Sequence, residues 1–456
     1  MKNNLLFCGL LYLIVIQLSA QTDPNITSWL QNTTETGSYY ISGNSTAIDN
    51  NILYNCQHIE YSDDFVYVHT KGIPAYPTGP FNDGNPSQAS DQNAIYKMPR
   101  IPQPAATPQN TNGGNIGIFI NGVSLFDYRD GVGWNANNQS LCGGPGNPPC
   151  PGGPMAQTDW TRDAIPAEKL GFDCSKAHPA MGNYHHHQNP SAFKLDIEVV
   201  SDICNLYDAE GLYAIDVDKH SPLIGFAYDG YPIYGAYGFQ NKDGSGGIAR
   251  IKSGYQLRDI TERNTHADGS SVDNGPDIGG DYFLGYFRED YEWIAHEGED
   301  DYLDVHNGRF SITPEYPNGT YAYFATVDDN WNSTYPYVVG PTFYGVKENR
   351  KVDTVTEDTE VYDAIVTVSD LEFQQLEINI YPNPTVDLIA IQITGLISDD
   401  YKIDLIDMNG KLVATTRITI GSTLAYFDVE TLYSGNYMIV ISNGSNVRSE
   451  KVVIGK

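Results

Sequence analysis

Asn121-Gly122 stands between Ile116-Gly117-Ile118-Phe119-Ile120 and Val123-Ser124-Leu125-Phe126. A two-residue hairpin turn of this type needs positive φ at its central positions, and Asn-Gly supplies it at the least steric cost. Two apolar runs joined so tightly pair as antiparallel strands, which commits the chain to sheets. The pattern recurs. Residues 223–228 run through Asp229-Gly230 into Tyr231-Pro232-Ile233-Tyr234, and Phe310-Ser311-Ile312 faces residues 320–327 across Pro314-Glu315-Tyr316-Pro317-Asn318-Gly319. Phe65-Val66-Tyr67-Val68-His69 alternates with period two, so His69 shares a face with Phe65 and Tyr67. Pro232 has no N–H for a ladder, which predicts an edge strand or a bulge. Long amphipathic helical patterns are scarce, and 33 tyrosines suit strands. The Gly/Pro-rich residues 72–115 and 142–154 read as long loops of the kind that carry function. The expected fold class is mainly β: a β-rich domain with long loops, then a small Ig-like β-sandwich.

The two ends differ from this middle. Residues 1–20 have Lys2 before a nearly continuous apolar run and Ser19-Ala20 before Gln21, the make-up of a secretory signal peptide. That run is too short for a good membrane anchor, and no later segment matches one, so no transmembrane span is expected in the mature chain. Residues 347–371 begin charged and Thr-rich and read as a linker. From residue 372 to 456, Ile389, Ile391 and Ile393 alternate with polar or small residues, and Asn409-Gly410 and Asn443-Gly444 mark turns. Short strands with such turns predict a small sandwich. The principal domain is placed at 52–346.

Composition narrows the partners. With 57 acidic and 26 basic residues the net charge is −31, which argues against nucleic acid or an anionic membrane. No complete EF-hand loop is present, and Asn241-Lys242-Asp243-Gly244-Ser245-Gly246 reads as a turn. Cys8 leaves with the leader. Of the rest, Cys142 and Cys150 close a short loop, Cys174 and Cys204 are a further candidate pair, and Cys56 is left free and buried or as a ligand.

The chemistry concentrates in Gly182-Asn183-Tyr184-His185-His186-His187-Gln188-Asn189-Pro190. In an extended segment His185 and His187 point to one side, a His-x-His chelating pair, while Tyr184 and His186 face the other. Imidazole suits zinc and copper. His220 and His306 are the candidate further ligands, with His69 and His178 as additional partners. The cofactor expected is therefore a divalent transition metal, Zn or Cu. Asp229 and Glu315 are turn residues that a pocket would convert into a base or ligand, and Arg309 is expected to pair with Asp304 or an anion. Serine-hydrolase, zincin and phosphate-loop signatures are missing, which leaves a metal-activated water as the conceivable catalytic route and no reaction to name.

Two resemblances add to this. Tyr381-Pro382-Asn383-Pro384-Thr385, Gly435-Asn436-Tyr437 and the terminal Lys451-Val452-Val453-Ile454 resemble the C-terminal sorting domain of type IX secretion cargo. This implies the type IX machinery as a partner and an extracellular or outer-surface location. Tyr184-His185-His186-His187, His220-Ser221-Pro222-Leu223-Ile224-Gly225, Asp229-Gly230-Tyr231-Pro232, Leu303-Asp304-Val305-His306-Asn307-Gly308 and Thr313-Pro314-Glu315-Tyr316-Pro317 resemble the YHYH domain family of secreted bacterial proteins, with His186 in the place of the second tyrosine. That resemblance implies a fold and a setting but no reaction. The alternative to a metal-binding protein, with or without catalysis, is a surface module for glycans or another extracellular polymer, for which Tyr39, Tyr40, Trp134, Trp160 and Trp331 are the candidate stacking faces.

Overall fold

The computed structural model describes residues 23–455 except 45, 82–87, 145, 152–157, 191–216, 331, 348–350, 363–376, 395–400, 408–410, 420–422 and 443–446. The leader at 1–20, Cys204, Trp331 and the Asn409-Gly410 and Asn443-Gly444 turns lie outside the described residues. The chain forms two compact units, residues 1–363 and 364–456.

The first unit is built on an eight-stranded sheet. Its order is Ala177–Ala180, Asn183–His186, Ser124–Phe126, Asn115–Phe119, Leu223–Ala227, Pro232–Tyr234, Thr320–Phe324 and Gly308–Ser311. All three expected hairpins fall in this sheet. Only the glycines turn positive, Gly122 at 78° and Gly230 at 85°, so the first two connections are three-residue loops with a closing glycine, in which Gly122 N–H bonds the Phe119 carbonyl and Gly230 N–H that of Ala227, and not two-residue turns. A five-stranded sheet, Lys351–Val352, Ala94–Pro99, Phe65–Thr70, Cys56–Tyr61 and Glu360–Tyr362, contributes to the same buried apolar core. Val66, Val68 and Met98 from it and Ile118, Phe119 and Phe226 from the larger sheet belong to one cluster.

Several expectations need correction. Pro232 opens an interior strand, flanked by Leu223–Ala227 and Thr320–Phe324, so it is not at an edge, while the expected bulge is present in its ladder, between Leu223 and Gly225; Pro232 is tolerated as the first residue, and the parallel ladder starts at Ile233. The 72–115 segment is not all loop, since Ala94–Pro99 crosses the smaller sheet. Nor is the charged stretch after residue 346 only a linker. Lys351–Val352 and Glu360–Tyr362 close the two edges of the five-stranded sheet, removing unpaired edge groups. The unit also reaches further toward the N-terminus than residue 52, because Ile26 and Trp29 are buried in its core. Cys142 and Cys150 form a disulfide, Cys174 is disulfide-bonded, and Cys56 is free and buried.

The second unit packs two antiparallel sheets face to face. Glu377–Tyr381, Leu388–Thr394 and Leu424–Asp428 make one; Leu412–Ile418, Tyr401–Asp407, Gly435–Ser442 and Val447–Ile454 make the other. The alternating Ile389, Ile391 and Ile393 point inward against Ile403, Leu405, Ile439 and Ile441. Asn383 ties the Pro-rich entry to the last strand: its Oδ1 accepts Val453 N–H at 2.9 Å and its amide donates to the Lys451 carbonyl at 3.0 Å. The molecule is thus mainly β throughout, and among the described residues no helix is long and apolar enough to cross a membrane.

With so little helix, the first unit anchors its loops by burying aspartates as acceptors. Asp163 caps the short helix Ala164–Glu168 by accepting Ile165 N–H at 2.9 Å and also accepts Tyr337 O–H at 2.6 Å. Asp229 accepts Tyr323 O–H at 2.6 Å and Gly345 N–H at 2.8 Å. Burial pushes the Asp163 carboxyl up to about 8, against about 3.9 in an unfolded chain. Between those values the folded chain keeps a proton that the unfolded chain has released. The stability Asp163 contributes is therefore full below about pH 4 and lost as pH rises through about 8. Imidazoles titrate near pH 6.5 in an unfolded chain, and the buried ones, held below that range by burial, add a slope of opposite sign that fades toward pH 8, so the Asp163 effect is read as the difference between wild type and Asp163→Asn. By urea denaturation, the stability of wild type relative to Asp163→Asn should fall from pH 7 to pH 8 by at most about 1.4 kcal/mol. A difference between wild type and Asp163→Asn that holds or rises over that range would contradict the assignment.

Candidate metal centre

The histidine run is placed by one tight hairpin. Met181 and Gly182 have φ of 49° and 83° and join Ala177–Ala180 to Asn183–His186. Ala180 pairs with Asn183, so His178 falls directly opposite His185. A Cβ at Gly182 would lie 2.0 Å from Ser90 Oγ and force that side chain to move, and the φ of 83° is itself one that favours glycine. On its other side Asn183–His186 runs parallel to Ser124–Phe126, with His185 beside Ser124. His187 follows directly after the strand and turns to the His185 side, as a period of two requires.

His178, His185 and His187 each offer a ring nitrogen, and the three lie within 4.8 Å of one another, all buried. His185 Nε2 and His187 Nε2 are 3.1 Å apart. Their other nitrogens fix what this contact is. His185 Nδ1 is 2.8 Å from the Asn183 carbonyl oxygen and His187 Nδ1 is 2.6 Å from that of Asp127. A carbonyl oxygen only accepts, so both Nδ1 atoms carry the proton. In a neutral ring each Nε2 then has only a lone pair, and two lone pairs face each other. Adding a proton would resolve the conflict by making an imidazolium. Burial opposes it, helped at His185 by the neighbouring His187 and His178, and holds both rings below the ordinary imidazole range.

A cation answers the same geometry. Zinc bonded to nitrogens at about 2.0–2.1 Å sets neighbouring donor atoms about 3.3 Å apart, close to the observed 3.1 Å. Imidazoles held by Nδ1–H to carbonyls are the usual outer support of such ligands. Glu168, at the end of its short helix, brings Oε2 to 3.3 Å from His178 Nε2 and 3.5 Å from His187 Nε2. That oxygen is buried and makes no hydrogen bond of good geometry. Burial pushes the Glu168 carboxyl up, but His178 and His187 outweigh it and hold it below the usual range. Phe126 stacks on His185 with ring centres 3.8 Å apart, and Phe172 lies edge-on to His178 at 4.9 Å, so apolar walls enclose the donors. The residues therefore fit a transition-metal ion: three nitrogen donors, one oxygen at the flank, and a fixed second layer.

The remaining candidates are elsewhere. His220 Nδ1 meets the Ser221 carbonyl at 2.7 Å, and its ring sits among Tyr234, Phe239 and Phe324. His306 Nδ1 is 2.6 Å from Thr342 Oγ1. Neither belongs to the group of His178, His185 and His187, beside which Glu168 lies. His186 faces the opposite side, bonded to Tyr76 O–H at 2.9 Å, and is a core residue. Asp229 is a buried acceptor for Tyr323 and Gly345, and Glu315 accepts Tyr234 O–H at 2.8 Å. Arg309 is buried and directed at the carbonyls of Phe239, Gln240 and Asp300. Residues 241–246 form a turn in which Ser245 N–H bonds Asp243. Trp134 and Trp160 are buried in a small cluster with Phe287 and present no stacking face; Tyr39 and Tyr40 are half-buried.

Residues 95–337, more than half the chain, match the family described as YHYH protein, and residues 379–455 match the secretion system C-terminal sorting domain. No curated protein matches the chain. Among solved structures the chain is similar to the crystal structure of beta-glucosidase from Listeria innocua in complex with glucose. The identity is 12% over 34% of this chain and 22% of that chain, and the TM-score is 0.15. A likeness that weak, over about a fifth of that chain, says nothing of fold or chemistry here.

The tautomers can be read directly. In metal-free protein labelled with ¹⁵N-histidine, His185 and His187 should both show protonated Nδ1 and bare Nε2 at pH 7.5. An Nε2–H on either ring would remove the lone-pair conflict and with it the argument for a cation.

Proposed function

The chain belongs to the YHYH protein family and is exported to the outer surface by its type IX sorting domain, and on that premise we propose that it binds a divalent transition metal, zinc or copper, through His178, His185 and His187. The observation that carries this reading is the opposed pair of Nε2 lone pairs in a buried site, a cost that the metal-free chain bears and a bound cation relieves. Neutral imidazoles are the protonation state a metal requires, so binding displaces no proton from these two rings. Glu168 lies beside the three rings and is the group placed either to complete the coordination or to take a proton from an oxygen ligand. A bound ion would supply Lewis acidity at that position.

Elemental analysis after incubation with Zn²⁺ or Cu²⁺ and desalting tests the reading. The chain should retain an ion that the His185→Ala/His187→Ala variant lacks, both proteins being checked for native near-ultraviolet circular dichroism. Glu168→Gln keeps the shape and should weaken binding about 10- to 100-fold. Free zinc at a hundred times its dissociation constant should add about 2.7 kcal/mol to stability. Equal metal content in wild type and the double variant would refute the proposal.

A further inference from the structure

A second group of metal donors lies on the five-stranded sheet, apart from the buried cluster. His58 and Glu60 are two residues apart on the strand Cys56–Tyr61 and so share a face. His69, on the neighbouring strand Phe65–Thr70, pairs directly with His58. The three side chains converge. His69 Nε2 is 2.7 Å from Glu60 Oε1, His58 Nε2 is 4.0 Å from the same oxygen, and the two imidazole rings meet edge-on with centres 5.0 Å apart. One donor atom from each lies within 4.8 Å of the others. Unlike the buried cluster, this one is open to solvent: the His58 and His69 side chains are 40% and 26% exposed, so water can fill the remaining positions around an ion.

The carboxylate is held from behind. Thr359 O–H donates to Glu60 Oε2, the oxygen turned away from His69. Tyr67, which pairs with Glu60 across the strands, donates to Glu357 and brings a further acidic group to the same face. Thr359 directly precedes Glu360–Tyr362, the strand that closes this edge of the sheet and the last described strand of the first unit. A ligand carboxylate whose second oxygen is hydrogen-bonded is the arrangement that fixes a ligand's orientation.

We propose that His58, Glu60 and His69 form a second, solvent-accessible site for a divalent transition metal, with Thr359 as the residue that positions the carboxylate. Two imidazoles and one carboxylate suit zinc and also copper or ferrous iron, with coordination positions left open. An ion on Glu60 would brace the strand Glu360–Tyr362 through Thr359. This site does not depend on the buried one.

Zinc alone is the probe, applied to the full chain, with bound ions counted after equilibrium dialysis. The wild type should hold two ions. His58→Ala/His69→Ala alters only partly exposed side chains and should lower the count by one, while His185→Ala/His187→Ala removes the other ion. Thr359→Val should weaken this site about tenfold with no effect on the buried one. If the wild type holds a single ion that vanishes in His58→Ala/His69→Ala, this site stands and the buried one falls. A count unchanged by His58→Ala/His69→Ala, or no retained ion at all, overturns the proposal. Cu²⁺ electron paramagnetic resonance gives an independent check: the signal lost in that variant should show coupling to two imidazole nitrogens, and coupling to three or more would also overturn it.

Discussion

The pairing of His178 with His185 across the Met181-Gly182 turn is the constraint on which the candidate centre depends. Because side chains alternate along a strand, a slip of one residue would send His178 to the opposite face or, if the other strand moved, exchange His185 for His186. The register is held on both sides. The turn fixes it on one, and on the other the parallel ladder sets His185 beside Ser124, whose hydroxyl is 2.8 Å from that of Tyr96 in the second sheet. His186 helps from behind: its Nδ1–H faces the Lys176 carbonyl and its Nε2 accepts Tyr76 O–H inside the core. The same run of three histidines thus divides into two with lone pairs turned to a common point and one that locks the strand in place.

The opposed lone pairs make sense as stored organisation. The Asn183 and Asp127 carbonyls hold both rings in the tautomer that a metal needs, and burial keeps those rings neutral. The fold therefore bears the cost of desolvating and orienting the donors before any ion arrives, which is the general condition for a tight and selective site. The cluster at His58, Glu60 and His69 is built differently. It sits on a partly exposed sheet face, with one hydrogen bond already made between His69 and Glu60, and stores no such conflict.

Buried polar groups do the work that helices do in other folds. Asp163, Asp173 and Asp229 each take a tyrosine hydroxyl and at least one backbone N–H, so loops that cross the sheet ends become fixed. The pair Arg263–Asp290 is wholly buried and bidentate, and Arg263 also donates to the carbonyls of Pro276, Tyr282 and Phe283. Breaking such a pair by removing one partner typically costs about 3–5 kcal/mol, so these groups are integral to the loop structure. The abundance of tyrosine follows from the same need: its ring fills the core while its hydroxyl satisfies a carboxylate.

The β class, the three hairpins, the C-terminal sandwich and the shared face of His185 and His187 were legible in the chain, because turn chemistry and period-two alternation are local and act through neighbours in the chain. His178 was within reach of the same logic: a two-residue turn at Met181-Gly182 pairs 180 with 183, and counting outward pairs 178 with 185. Glu168 was not. It reaches the cluster from a short helix capped by Asp163, and no spacing in the chain encodes that approach. The interior place of Pro232, the strand duty of residues 351–362 and the separation of His220 and His306 from the histidine group were likewise settled only in three dimensions. Each depends on which strands become neighbours, and that choice is made by packing the whole core at once.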